Sequence, residues 1–151
     1  MHPIRYNMLK ELANRIGDLS NGKLIEFLEE VLNELERDII ELNRSQLEKG
    51  QKADGSFNRP YSRSTINVRN IEGNPVKGQL IALYDTGDFW GYFWAQAYNG
   101  KLNIWSSDVK TEMLVKEYGE AIFGLTDENF KALGEKATPL LKQKVNTFLR
   151  A

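Results

Sequence analysis

The sequence predicts an α+β fold in a single domain, residues 1–151, and three observations carry that expectation. Leu24, Leu28, Val31, Leu35, Ile39 and Leu42 repeat at steps of three and four, the period of a helix with one apolar face. Residues 83–107 are dense in aromatic side chains around an Asn99-Gly100 pair, the strongest short hairpin signal. After residue 126 helical spacing returns in a C-terminal helical region, 126–151.

Residues 1–22 hold a predicted short helix over 3–16, with Ile4, Met8, Leu9, Leu12 and Ile16 at helical spacing and glycines stopping it. A long helix is expected from Lys23 to Lys49, its stripe widened by Phe27, Leu32, Ile40 and Leu47. Its outer surface is acidic, with eight acidic and three basic residues between Lys23 and Glu48. Gly50 ends it. Residues 49–80 form a basic loop region with an Asp54-Gly55 turn, in which Ser62 caps a short helix reaching about Asn70.

The stretch 83–107 is the centre of the chain. It opens as a polar turn, Asp85-Thr86-Gly87-Asp88, and is expected to become a strand from Phe89. A two-residue Asn-Gly loop pairs Tyr98 with Lys101, Gln96 with Asn103 and Trp94 with Trp105. Phe93, Ala95 and Ala97 then share the other, small and apolar face with Ile104 and Leu102. Ser107 or Asp108 is expected to cap a helix through Glu117 with Met113, Leu114 and Tyr118 inward, followed by a short buried extended piece at 121–124. Thr126 caps the next helix, and Gly134 and Thr138-Pro139 are expected to break it into two.

Composition excludes much chemistry. There is no cysteine, so disulfides, thiolate metal sites and cysteine nucleophiles are out, and the one histidine is His2. Net charge is -1, which gives no general attraction to nucleic acid; the basic loop is expected to be solvated, with no specific nucleic-acid partner. No apolar run is long enough for a membrane span, and the first residues show no apolar signal-peptide core, so a cytoplasmic protein is expected. Asp85, Asp88 and Asp108 invite a metal or acid–base reading, set against a simpler one in which they cap turns. No His, Cys or spaced Glu completes a site, so no catalytic residue, metal or cofactor is expected and the chain reads as non-enzymatic.

The aromatic face of Trp90, Tyr92, Trp94, Tyr98 and Trp105 has three readings: core beneath a packed element, a carbohydrate- or peptide-stacking platform, or a protein–protein interface. Arg59, Arg63 and Arg69 are candidate contacts in the basic region. Lys23–Glu48 carries a formal -5 and Lys49–Gly78 a formal +4, a contrast that would suit head-to-tail packing of subunits.

A long helix, Asp54-Gly55, Tyr61-Ser62 and Thr65, a basic stretch, and then Leu83, Asp85-Thr86-Gly87, Phe89 and Phe93 follow in order. That order resembles the virion-morphogenesis and tail-component proteins of tailed phages, the tail-completion or neck family. Their pattern is a DG…W…S…T entry, a Lys/Arg-rich connector and a Leu-x-x-Thr-Gly-x-Leu-x-x-Ser core. Here Phe57 or Tyr61 stands where the Trp is frequent, Phe89 replaces the second Leu, and Tyr92 takes the Ser position. Ser106-Ser107-Asp108, Tyr118-Gly119 and Ile122–Leu125 resemble the closing segment of related prophage proteins, so the likeness covers about residues 24–130. The resemblance implies a structural subunit that forms a ring with its own copies at the head–tail neck or tail end. Its other partners would be neck or tail proteins, and it would assemble in the host cytoplasm and end in the virion.

Overall fold

The computed structural model describes the backbone of residues 2–5 and residues 21–150. The chain is α+β. Strand β1 (His2–Arg5) precedes helices α1 (Asn21–Glu34), α2 (Glu36–Glu48) and α3 (Arg63–Ile71). The one-turn helix α4 (Asp88–Gly91) leads into the hairpin of β2 (Phe93–Tyr98) and β3 (Lys101–Ser106). Helix α5 (Thr111–Tyr118), a 3-10 turn at Glu120–Ile122 and helix α6 (Asp127–Arg150) complete it.

The hairpin has the expected register. Tyr98 pairs with Lys101, Gln96 with Asn103, Trp94 with Trp105, Ala95 with Ile104 and Ala97 with Leu102. Asn99 and Gly100 both take the left-handed φ that the tight turn needs, 53° and 72°. The face with Phe93, Ala95, Ala97, Leu102 and Ile104 is buried. Against it lie Leu28, Val31, Leu32 and Ile39 of α1 and α2, and the buried stripe of α6, Phe130, Leu133, Ala137, Leu141 and Val145, packs on α1 and α2 in turn and joins the same core.

Five expectations are corrected. Residues 3–5 are strand, not helix: β1 pairs antiparallel with β3, giving a three-stranded sheet in the order β1-β3-β2. Pairing along β3 outweighs a short run of helical spacing; the rest of the predicted 3–16 helix lies outside the described residues. The long helix is two, bent at Leu35 (φ -92°, ψ 17°), whose N–H contacts both Val31 O and Leu32 O. The bend falls between Asn33 and Glu36, and both grip β2: Asn33 receives Ala97 N–H (2.8 Å) and donates to Ala97 O (3.1 Å), while Glu36 receives Ala95 N–H (3.2 Å). Glu29 adds Gly100 N–H (2.7 Å), so helical side chains satisfy the outer edge of the sheet.

Third, α6 runs through Pro139 without a break. A mid-helix proline costs about 3 kcal/mol, and the apolar face buried on both sides of it outweighs that. Thr138 does not cap a new helix; its hydroxyl donates back to Gly134 O at 2.7 Å. Fourth, strand does not begin at Phe89, because Asp88–Gly91 form a helical turn first. Among the α5 residues expected inward, Leu114 and Tyr118 are half-buried but Met113 is 58 % exposed.

The 121–124 piece is held by amides from α2. Asn43, fully buried, donates to Ile122 O and receives Gly124 N–H, both at 3.0 Å. Gln46 donates to Gly124 O (3.0 Å) and accepts from Thr126 N–H (2.8 Å) and Asn129 Nδ2 (2.7 Å). Thr126 caps α6 as expected, taking Asn129 N–H at 3.2 Å.

Candidate interaction surface

The Asp85-Thr86-Gly87 turn is held by Thr86 and Asp88 from within and by Asn74 from outside. Gly87 takes φ 92°, which a side chain disfavours, and starts α4. Thr86 Oγ1 donates to Asp88 Oδ2 at 2.8 Å, and Asn74 Nδ2 reaches both Asp85 O (2.9 Å) and Asp85 Oδ1 (3.0 Å). Asp108 accepts from Lys110 N–H at 2.9 Å. The three aspartates that invited an acid–base reading each hold a turn. Among the described residues no three His, Cys, Asp or Glu side chains gather to hold a metal ion, and no helix is long and apolar enough to cross a membrane.

Phe89 and Phe93 point into the core, packed edge to face at 5.0 Å, and both meet Phe123. Leu83 sits at φ 56°, a conformation costly for a branched side chain.

The five aromatic residues do not share one face. Trp90 lies on α4, where its Nε1 donates to Ala82 O (3.2 Å) and its ring meets Tyr84 edge to face at 5.0 Å. Trp105 is half-buried and leans on Phe123, with centroids 4.8 Å apart, so one side of its ring belongs to the core. Trp94 is half-buried beside it, while Tyr92 and Tyr98 stand outward, 58 % and 67 % exposed. Periodicity placed Trp94, Tyr98 and Trp105 on the outward register, but could not foresee that Phe123 would draw Trp105 inward.

The charge blocks are engaged within the chain. Arg59 pairs with Glu117 at 2.6 Å, and Lys77 with Glu48 at 3.7 Å. Lys144 pairs with Glu30 and Glu34, and Lys136 with Asp38. Arg63 is exposed at the start of α3. Arg69 is not a surface cation: its side chain is 9 % exposed, its Nε donates to Asn74 O at 2.9 Å, and Asp85 Oδ1 lies 3.8 Å away.

Arg69 lines a cleft of about 350 Å³ between α3, the 81–87 segment and α5. Leu83, Asp85, Thr86, Gly87 and Phe89 contribute to its wall. A neighbouring cleft of about 360 Å³ shares Tyr61, Thr65 and Ile81 with it and ends at Arg59 and Tyr118. Burial, with the nearby Glu117 carboxylate as a smaller cause, pushes the Tyr118 phenol above its ordinary 10.0. Sequence reasoning missed this groove. Its one local signal was the i, i+4, i+7 spacing of Thr65, Arg69 and Glu72 after the Ser62 cap, whose Oγ accepts Thr65 N–H at 3.1 Å. No family model, curated protein or solved structure matches the chain.

Proposed function

We propose that this chain is a non-enzymatic assembly subunit that works through protein–protein contacts. The resemblance of its ordered motifs to tail-completion and neck proteins makes it a tailed-phage or prophage component, ringed with its own copies and touching other neck or tail proteins. It would assemble in the host cytoplasm and remain in the virion.

The observation that carries the reading is the outward face of the hairpin. Tyr92, just before β2, and Tyr98, at its end, stand exposed on either side of half-buried Trp94. Such aromatic side chains lose little conformational freedom on binding and are enriched at interface centres. The Thr86-Gly87 turn supports the reading indirectly, since it places the hairpin without offering a reactive group. With the acidic side chains of α1 and α2 paired internally, apolar and aromatic contact has to supply more of the association than opposite charge.

Sedimentation across protein concentration, with electron microscopy of the largest species, tests it. The expected result is a mass that rises to a closed ring, and Trp94→Ala should lower it more than it lowers folding stability. A monomer at every concentration that instead binds oligosaccharide or peptide through Trp94 and Trp105 would favour a carbohydrate- or peptide-binding module.

A further inference from the structure

Arg69 presents an incomplete set of bonds. A guanidinium carries five N–H donors and keeps its charge at any ordinary pH. Here Nε has Asn74 O, Asp85 stands beyond hydrogen-bond range at 3.8 Å, and Nη2 is sealed from water with no hydrogen-bond partner. A nine-tenths-buried cation with an unfilled donor is costly unless an acceptor reaches it.

Five features of the surroundings bear on what that acceptor is. Lys110 lines the same cleft and forms no ion pair among the described residues. Glu72 and Asp85 also line it, but Asp85 is 65 % exposed and already receives Asn74 Nδ2. The rest of the lining includes Tyr61, Tyr84, Ile81 and Leu114, a surface for an apolar body. The wall includes Leu83 in its left-handed conformation, strain of the kind that gathers at binding sites. The cleft shares Tyr61, Thr65 and Ile81 with its neighbour, and the two side by side offer the reach of an extended peptide rather than of a compact solute.

We propose that this groove takes an acidic peptide segment of a partner protein, one carboxylate being received by Arg69 and Lys110 while its apolar neighbours lie on Tyr61, Ile81 and Leu114. Side-chain rotation of the kind common at interfaces would bring Nη2 to the ligand; the Tyr61 ring lies 6.0 Å from the guanidinium carbon. The groove shares no lining residue with the hairpin face, so its failure would leave the assembly reading where it stands, and the reverse holds too.

The test is a titration of the full chain, followed by the Arg69 Nε–H resonance, with three probes. They are the blocked peptides acetyl-Tyr-Glu-Leu-amide and acetyl-Tyr-Gln-Leu-amide, and free 3-phenylpropionate. The Glu peptide should shift the Arg69 resonance and bind about tenfold tighter than the Gln peptide, the factor that one charge-assisted hydrogen bond supplies. Lys110→Ala, at a half-buried position, should remove most of that preference while leaving the fold intact. Arg69→Met should abolish it, and Lys110→Ala decides the matter if Arg69→Met does not fold. Equal affinity for the two peptides, or an unmoved Arg69 resonance, overturns the site. Binding of 3-phenylpropionate as tight as that of the Glu peptide overturns the peptide as its occupant.

Discussion

Replacing Gly87 tests whether the Thr86-Gly87 turn is architectural. Gly87 has φ 92° and ψ -6°, a region that L side chains rarely adopt. A Cβ there would lie 3.1 Å from Tyr84 Oη and 3.4 Å from Tyr84 Cε2 and Cζ. Tyr84 is held on two sides, its ring packing edge to face on Trp90 at 5.0 Å with Lys77 Nζ 4.6 Å from its centroid, so the added Cβ displaces a packed ring. Backbone strain alone costs about 1–2 kcal/mol. Displacing a packed ring adds roughly 1 kcal/mol or more, so Gly87→Val should lose on the order of 3 kcal/mol and Gly87→Ala somewhat less. Gly55 is the control, since its φ of 85° is similar but nothing lies within 4 Å of its added Cβ. Gly55→Ala should show the strain without the contact. Urea denaturation of the three variants, followed by circular dichroism, gives the comparison. A Gly87→Val protein that unfolds at the wild-type midpoint, or no harder hit than Gly55→Ala, refutes the reasoning.

Three further outcomes follow from the fold. Asn43→Ala leaves Ile122 O and Gly124 N–H buried without partners and should cost about 2–4 kcal/mol in urea denaturation. Asn33→Ala uncovers the outer edge of β2 and should raise the aggregation rate, read by light scattering, more than it lowers the unfolding midpoint. The alkaline limb depends on Tyr118 and Lys144. Burial raises the first above 10.0, and the hydrogen bond to Glu34 raises the second above 10.5. Both groups hold their protons more tightly folded than unfolded, so their stabilisation is complete below those ordinary values and is lost as pH climbs through the raised ones. The urea midpoint should therefore hold steady up to about pH 9.5 and fall above pH 10, less steeply in Tyr118→Phe.

What could be read before folding was whatever is encoded by neighbours. Asn99-Gly100 with alternating side chains determines a hairpin register locally, and Ser62 and Thr126 cap helices through their own hydroxyls. What could not be read depends on distant partners. The bend at Leu35 goes with the grip of Asn33 and Glu36 on a strand some sixty residues away in sequence. The continuity of α6 through Pro139 depends on apolar packing against α1, which outweighs a local rule. The candidate site divides in the same way. The turn at Thr86-Gly87 was legible from its polar and glycine residues. The burial of Arg69 was not, because an arginine on a short amphipathic helix looks solvated until α5 and the 81–87 segment close beside it.

Tyr98→Ala addresses the assembly claim most directly. Tyr98 is 67 % exposed at the end of β2, so its truncation should leave stability within about 0.5 kcal/mol of wild type. If the outward face of the hairpin joins subunits, the same change should weaken self-association by about tenfold or more in sedimentation. An unchanged urea midpoint with a clear drop in assembled mass is the predicted result. Assembly equal to wild type at matched concentrations would contradict the account, and would take the outward face of the hairpin out of the interface.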